Sequence, residues 1–251
     1  MTARRGPRYG LVADVHANLQ ALEAVLAQLD EESVDAIWCL GDVVGYGGDP
    51  AACLAAIRDR CAVTVLGNHD LAAADPVGRN RFNAQARAAI ERHVELLDAT
   101  DIAWLAALPA TVSEGDATLT HSGLADPAAF TYVTDARLAT VELEAQRTPW
   151  GFFGHTHVPV AYAAPPDGPV IAIRLSEGEP LSLAGPTRWF LNPGAVGQPR
   201  DRDPRAAYAI LDIGAETYVQ RRVPYDIAAA QESIRRRGLP LIEADRLAVG
   251  R

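Results

Sequence analysis

Five of the six histidines in this chain of 251 residues lie in short glycine- and aspartate-bearing strings that follow one another in order. The strings are Asp14-Val15-His16, Gly41-Asp42, Gly67-Asn68-His69-Asp70, His121-Ser122-Gly123 and Gly154-His155-Thr156-His157. Imidazole nitrogens, aspartate oxygens and one asparagine amide oxygen make a mixed N/O donor set that suits first-row divalent ions such as manganese, iron, nickel or zinc. A pair of such ions lowers the pKa of a shared water, holds a phosphate oxygen and stabilises charge during in-line displacement at phosphorus. Asp42, the carboxylate in the middle of the order, is the natural bridging ligand. The divalent charges outweigh those of Asp14 and Asp42, so the pocket stays cationic, as phosphate binding requires. His69 follows Asn68 and is placed to act as general acid or charge stabiliser, with Asp70 orienting it by a hydrogen bond. The remaining histidine, His93, reads as a helix-surface or packing residue.

These side chains need elements that bring them together. Residues 9–13 read as a buried strand ending at Asp14, and residues 18–29 as a helix with Leu19, Leu22, Val25, Leu26 and Leu29 on one face. Residues 35–40 run into Gly41-Asp42, Pro50 opens a helix to about residue 59, and residues 62–66 form a strand entering Gly67-Asn68. Strands alternating with helices in this way predict a largely parallel sheet, with ligands beyond its carboxyl ends. On a strand, residues i and i+2 share a face, which predicts that Asp14 pairs with His16 and His155 with His157. Glycines 41, 67 and 154 precede ligand candidates and allow close turns. A helix is expected over residues 83–97. From Pro109 onward short strands predominate, at residues 117–120, 151–153, 160–163, 170–175, 189–191, 207–212 and 218–223, and predict a second, mixed or antiparallel sheet. A helix over residues 227–237 is expected to close the chain.

Composition narrows the function. All 23 basic residues are arginine, which excludes lysine-dependent phosphate loops and Schiff bases. A net charge of −9 argues against a surface that tracks a nucleic-acid backbone. The basic start, residues 1–8, is followed by an apolar stretch too short for a secretory leader, and no run reaches membrane-spanning length. Cys39, Cys53 and Cys61 show no metal-type spacing and read as reduced thiols, which points to a cytoplasmic protein.

With these motifs the chain resembles the calcineurin-like metallophosphoesterases, whose pattern is Asp-x-His, Gly-Asp, Gly-Asn-His-Asp or Glu, His, and Gly-His-x-His; the match runs from residue 9 to about residue 200. The resemblance implies an α/β fold, a two-sheet β-sandwich flanked by helices in four layers, here as one domain over residues 1–251. It also implies that Asp14, His16, Asp42 and His157 hold one ion, and Asp42, Asn68, His121 and His155 the other. The Gly41-Asp42-Val43-Val44-Gly45-Tyr46-Gly47 string lacks the Asp-Arg-Gly ending of eukaryotic-type protein phosphatases and is more similar to small bacterial phosphoesterases. Tyr46, Arg79, Asn80 and Asn83 follow metal motifs and are candidates to line the pocket; Asn192 and Arg200, in a loop after the last motif, are candidates to touch substrate. The expected activity is hydrolysis of a small phosphomonoester, phosphodiester or nucleotide, dinucleoside polyphosphates included, by a hydroxide bridging two divalent metal ions. A non-catalytic scaffold with this fold and a nuclease are the alternatives.

Overall fold

Apolar residues at successive positions of one strand face two different cores. In a computed structural model describing residues 6–251, Leu11 and Ala13 point into the space between two sheets, while Val12 points to the helices outside. The basic residues 1–5 at the start lie outside the described residues.

The first sheet has the order β3-β2-β1-β11-β12-β9. Strands β1 (Arg8–Val12), β2 (Ala36–Cys39) and β3 (Cys61–Thr64) are parallel, joined by α1 (Leu19–Glu31) and α2 (Pro50–Arg60). Strand β11 (Ala206–Asp212) is antiparallel to β1 and pairs with β12 (Thr217–Val223), which pairs with β9 (Pro180–Ser182). The second sheet has the order β4-β5-β6-β10-β7-β8. It comprises β4 (Thr111–Glu114), β5 (Ala117–Thr120), β6 (Trp150–Phe152), β7 (Val160–Ala164), β8 (Ile171–Ile173) and β10 (Arg188–Asn192). Strands β5, β6 and β10 run parallel, and the remaining pairings are antiparallel.

The first sheet is therefore mixed, and β11 and β12 belong to it, not to the second sheet where their position after Pro109 placed them. Chain order records no register: β11 completes the sheet by pairing with β1 across most of the sequence, Arg8 lying opposite Asp212. The strands and α-helices beyond those anticipated are β4, β9, α3 (Asn68–Ala74), α5 (Ala99–Ala106), α6 (Ala136–Ala145) and, after α7 (Ile227–Arg236), a short α8 (Leu241–Asp245). Helix α4 (Ala84–Leu96) lies where a helix was expected.

Between the sheets pack Trp38, Leu40, Phe152, Trp189, Leu191 and Leu211. Helix α1 covers the first sheet with Leu22, Val25, Leu26 and Leu29, while α6 covers the second with Ala139 and Leu143 against Phe153 and Phe190. Each such fully buried large side chain contributes about 1.5–3 kcal/mol of burial energy. The result is a two-sheet α/β sandwich with helices on both outer faces. Among the described residues no helix is long and apolar enough to cross a membrane.

Candidate metal centre

The strands stop short of the ligands. Strand β1 ends at Val12 and β2 at Cys39, and Asp14, His16, Asp42, His155 and His157 all adopt left-handed backbone conformations, with φ between 48° and 64°. Alternation along a strand, the expected means of pairing Asp14 with His16 and His155 with His157, is therefore not what aims these side chains. Tight left-handed turns do so, each at a cost of about 1–2 kcal/mol for a residue with a Cβ. Backbone bonds between loops hold the turns: Asp14 N–H donates to Gly41 C=O (3.0 Å), His16 N–H to Asp42 C=O (2.9 Å) and Gly197 N–H to Asp14 C=O (2.9 Å). Gly67 is required by proximity, because a Cβ there would lie 2.1 Å from Asp42 Oδ1.

Three histidines are locked in one tautomer. Nδ1–H of His16 donates to Val44 C=O (3.0 Å), that of His121 to Leu40 C=O (2.7 Å) and that of His157 to Gln198 C=O (2.6 Å). A carbonyl only accepts, so each ring, when neutral, carries its lone pair on Nε2. Those lone pairs converge. His16 Nε2 lies 3.0 Å from His157 Nε2, and His157 Nε2 lies 3.3 Å from Asp14 Oδ1. His121 Nε2 lies 3.2 Å from His155 Nδ1, 3.2 Å from Asn68 Oδ1 and 3.3 Å from Asp42 Oδ2. Asp42 Oδ2 is also 3.6 Å from His16 Nε2 and so faces both groups. Lone pairs and carboxylates gathered at such distances, in residues almost wholly buried, repel one another unless a cation lies among them. The donor set could hold metal ions in three overlapping groups, Asp14 with His16 and His157, His16 with Asp42 and His69, and Asp42 with His121 and His155, and Asn68 Oδ1 adjoins the last.

Electrostatics agree with that geometry. Burial holds the His16 and His157 rings well below their ordinary pKa, which keeps them neutral. Burial also pulls on His121, yet the Asp42 carboxylate overrides it and pushes this ring up to about 9. Asp14 is pushed up to about 7 by burial. Asp42 resists the same desolvation because His121 and His69 hold it below the usual carboxylate range. The strongest demand for positive charge is at the shared carboxylate.

Comparison with known proteins identifies the family. The profile of the calcineurin-like phosphoesterase superfamily domain matches residues 8–216. The chain belongs to that superfamily. A metallophosphoesterase from Sphaerobacter thermophilus, known from its crystal structure, is similar over 98% of this chain and 100% of its own, with 39% identity and a TM-score of 0.87. An uncharacterized protein of Methanocaldococcus jannaschii is 31% identical over 245 residues, 96% of this chain and 97% of its own length. A symmetrical bis(5′-nucleosyl)-tetraphosphatase of Chromohalobacter salexigens is 38% identical over 119 residues, covering 43% of this chain and 41% of its own.

Within this phosphoesterase fold the other candidates divide. His69 packs edge-on against His16 and Phe82 and at a tilt against Tyr46, with ring centroids 4.6–4.8 Å apart, and its backbone N–H donates to Asp42 Oδ1 (2.8 Å). Burial pushes the ring down to about 4. Asp70 does not orient it. The Asp70 carboxylate accepts instead from Val44 N–H and Gly67 N–H, both at 3.1 Å, closing the first turn of α3. His69 Nδ1 is buried without a hydrogen-bond partner, against Gly45, where a Cβ would come within 2.3 Å of it.

Tyr46 and Arg200 meet at the site: the guanidinium lies 5.7 Å from the Tyr46 ring centre and donates to Gln198 Oε1 (2.9 Å). Gln198 in turn donates to Glu243 of α8 (2.9 Å), so the last short helix, beyond the family match, braces this corner. Asn83 lines the adjoining cleft while capping α4. Asn192 is not a substrate group: it donates to Gly154 C=O and Thr156 Oγ1 and accepts from Gly194 N–H, holding the turn that carries His155 and His157. Arg79 caps the end of α3 through the Ala72 and Ala73 carbonyls, and neither it nor Asn80 lines the cleft. Cys39 and Cys53 are buried and, like Cys61, stand outside the cluster.

His93 is neither a surface nor a mere packing residue. It is fully buried; Nδ1 accepts from Gly45 N–H (3.0 Å) and Nε2–H donates to Gly47 C=O (2.7 Å), fixing the loop that presses Gly45 on His69. The sequence held the signal, since Ala86, Ala89, Ile90 and His93 form one buried helical stripe. Burial pushes His93 down from 6.5 to about 4. The unfolded chain therefore takes up a proton near pH 6.5 that the native state refuses. The associated stability is complete above that pH and is lost as pH falls towards 4, by up to about 3 kcal/mol. His93→Gln is expected to flatten the dependence of Tm on pH between these limits; an unaltered slope contradicts the assignment.

Proposed function

We propose that this chain is a dinuclear metal-dependent phosphoric ester hydrolase acting on a small phosphomonoester, phosphodiester or nucleotide, dinucleoside polyphosphates included. The observation that carries the reading is the convergence of ring nitrogens from His16 and His157 at 3.0 Å and from His121 and His155 at 3.2 Å, with Asp42 facing both. Divalent ions held there supply an activated water and charge stabilisation at phosphorus.

The chain's own residues do the remainder. Arg200, beside Tyr46, supplies a fixed cation for phosphate oxygens. His69, kept neutral by burial and with Nδ1 blocked by Gly45, meets the substrate through Nε2 and donates a hydrogen bond to the leaving-group oxygen. This favours charge stabilisation over general-acid catalysis. The partial likeness to a bis(5′-nucleosyl)-tetraphosphatase supports keeping nucleotides among the substrates. We read residues 1–251 as one domain, and the three reduced thiols as fitting a cytoplasmic protein.

Chelation is expected to abolish hydrolysis of monoester, diester and dinucleoside polyphosphate substrates, and addition of manganese, nickel, zinc or iron to restore it for at least one class. Metal content measured alongside makes the test decisive: a fully loaded protein without turnover on any class refutes the hydrolase reading.

A further inference from the structure

Beside the metal centre lies an open cleft of about 520 Å³, within the range of small-molecule sites. Its inner wall is Asn68, His69 and His155, so a phosphate held at the centre has its substituent in this space. The rest of the lining is unusually aromatic for a protein with 6% aromatic residues. Tyr132 stacks on His155, with ring centroids 3.9 Å apart and planes inclined by 29°, yet is half exposed. Its exposed part borders both this cleft and the neighbouring cavity that Tyr132 also lines. Phe82 stands against His69, and Phe130 lies 6.1 Å from His121. Phe130 holds a left-handed conformation, φ 49°, which is rare for a bulky aromatic residue. Val77, 77% exposed, lines the same cleft, and Arg81 and Asn83 add polar atoms to it.

From this juxtaposition we propose that the cleft is a nucleoside subsite: the base of a nucleoside phosphoester stacks on Tyr132, flanked by Phe82 and Phe130, while its phosphate sits at the His/Asp cluster. The proposal rests on the hydrolase reading for the direction of the phosphate. A flat, half-exposed tyrosine suits a planar ring better than it suits an aliphatic substituent, because base–aromatic stacking is sequence-tolerant and strong for its area. Arg81 and Asn83 offer hydrogen-bond partners to the heteroatoms of a base edge, which a simple aryl group lacks.

The test compares adenosine 5′-monophosphate with ribose 5-phosphate, in which a hydroxyl replaces the base, by calorimetric titration of the metal-reconstituted protein. The nucleotide is expected to bind about tenfold tighter or more. That ratio is expected to fall close to one in Tyr132→Ala and to persist in Tyr132→Phe, which keeps the ring. Circular dichroism checks that both variants fold. Equal affinity for the two ligands, no measurable nucleotide binding, or a ratio unmoved by Tyr132→Ala overturns the subsite. Turnover is scored separately: if no phosphoester is hydrolysed, the hydrolase reading fails, and the binding ratio still decides the subsite.

Discussion

Replacing Asp42 by alanine is expected to strip the protein of most of its bound metal and abolish measurable phosphoester hydrolysis. Its Oδ2 faces His16 Nε2 at 3.6 Å and His121 Nε2 at 3.3 Å, and so is the one carboxylate oxygen that both groups of donors share. Without it, each group keeps only neutral nitrogens and an amide, apart from Asp14 on one side. The loss in affinity should exceed the roughly 10- to 100-fold that follows removal of an outer-shell partner. Asp42 Oδ1 also anchors the His69 backbone, so the variant loosens two parts of the site at once. Asp42→Asn separates these effects: it keeps the shape and the His69 contact but removes the charge, and is expected to lose metal nearly as badly. Elemental analysis after dialysis checks both variants, and full metal stoichiometry in Asp42→Ala would end the claim that this carboxylate is shared.

His69→Ala is expected to do the reverse, keeping both metals while losing about 10²- to 10³-fold in kcat, the effect of removing one charge-stabilising donor. Its ring nitrogen comes near enough to His16 and Asp42 for ligation to be a competing role. The two roles differ in the measured metal content. If His69→Ala and Asp42→Ala lose metal equally, His69 is a ligand and the division of labour proposed here is wrong. Because His69 is wedged among Tyr46, Phe82 and His16, alanine leaves a cavity, and His69→Gln provides a bulkier control that retains a donor. A rise in KM alone, with kcat intact, would move His69 from bond breaking to substrate binding.

The metal motifs were legible because each is short and local, a turn carrying one or two donors, and residue type alone reveals a donor. The same locality misled where a partner lay far away in sequence. Adjacency suggested that Asp70 orients His69, whereas the helical turn that begins at Asn68 turns the Asp70 carboxylate back onto Gly67 and across to Val44. Asn192 resembled a substrate group in its glycine-rich loop, but its amide is consumed by the turn bearing His155. His93 carried a readable sign of burial and no sign of what it touches, since Gly45 and Gly47 are 48 and 46 residues away.

By itself the sequence determined the donor types, their order and the absence of lysine chemistry, because these follow from residue identity, while the two-sheet α/β sandwich followed from the resemblance that those motifs carry. Tertiary structure alone decided the rest: that β11 closes the first sheet onto β1, that left-handed turns rather than strand faces aim the ligands, and that Tyr132 lies flat on His155. Those outcomes depend on which distant backbone groups pair and which side chains fill the space left, and a linear pattern of apolar and polar residues does not encode either quantity.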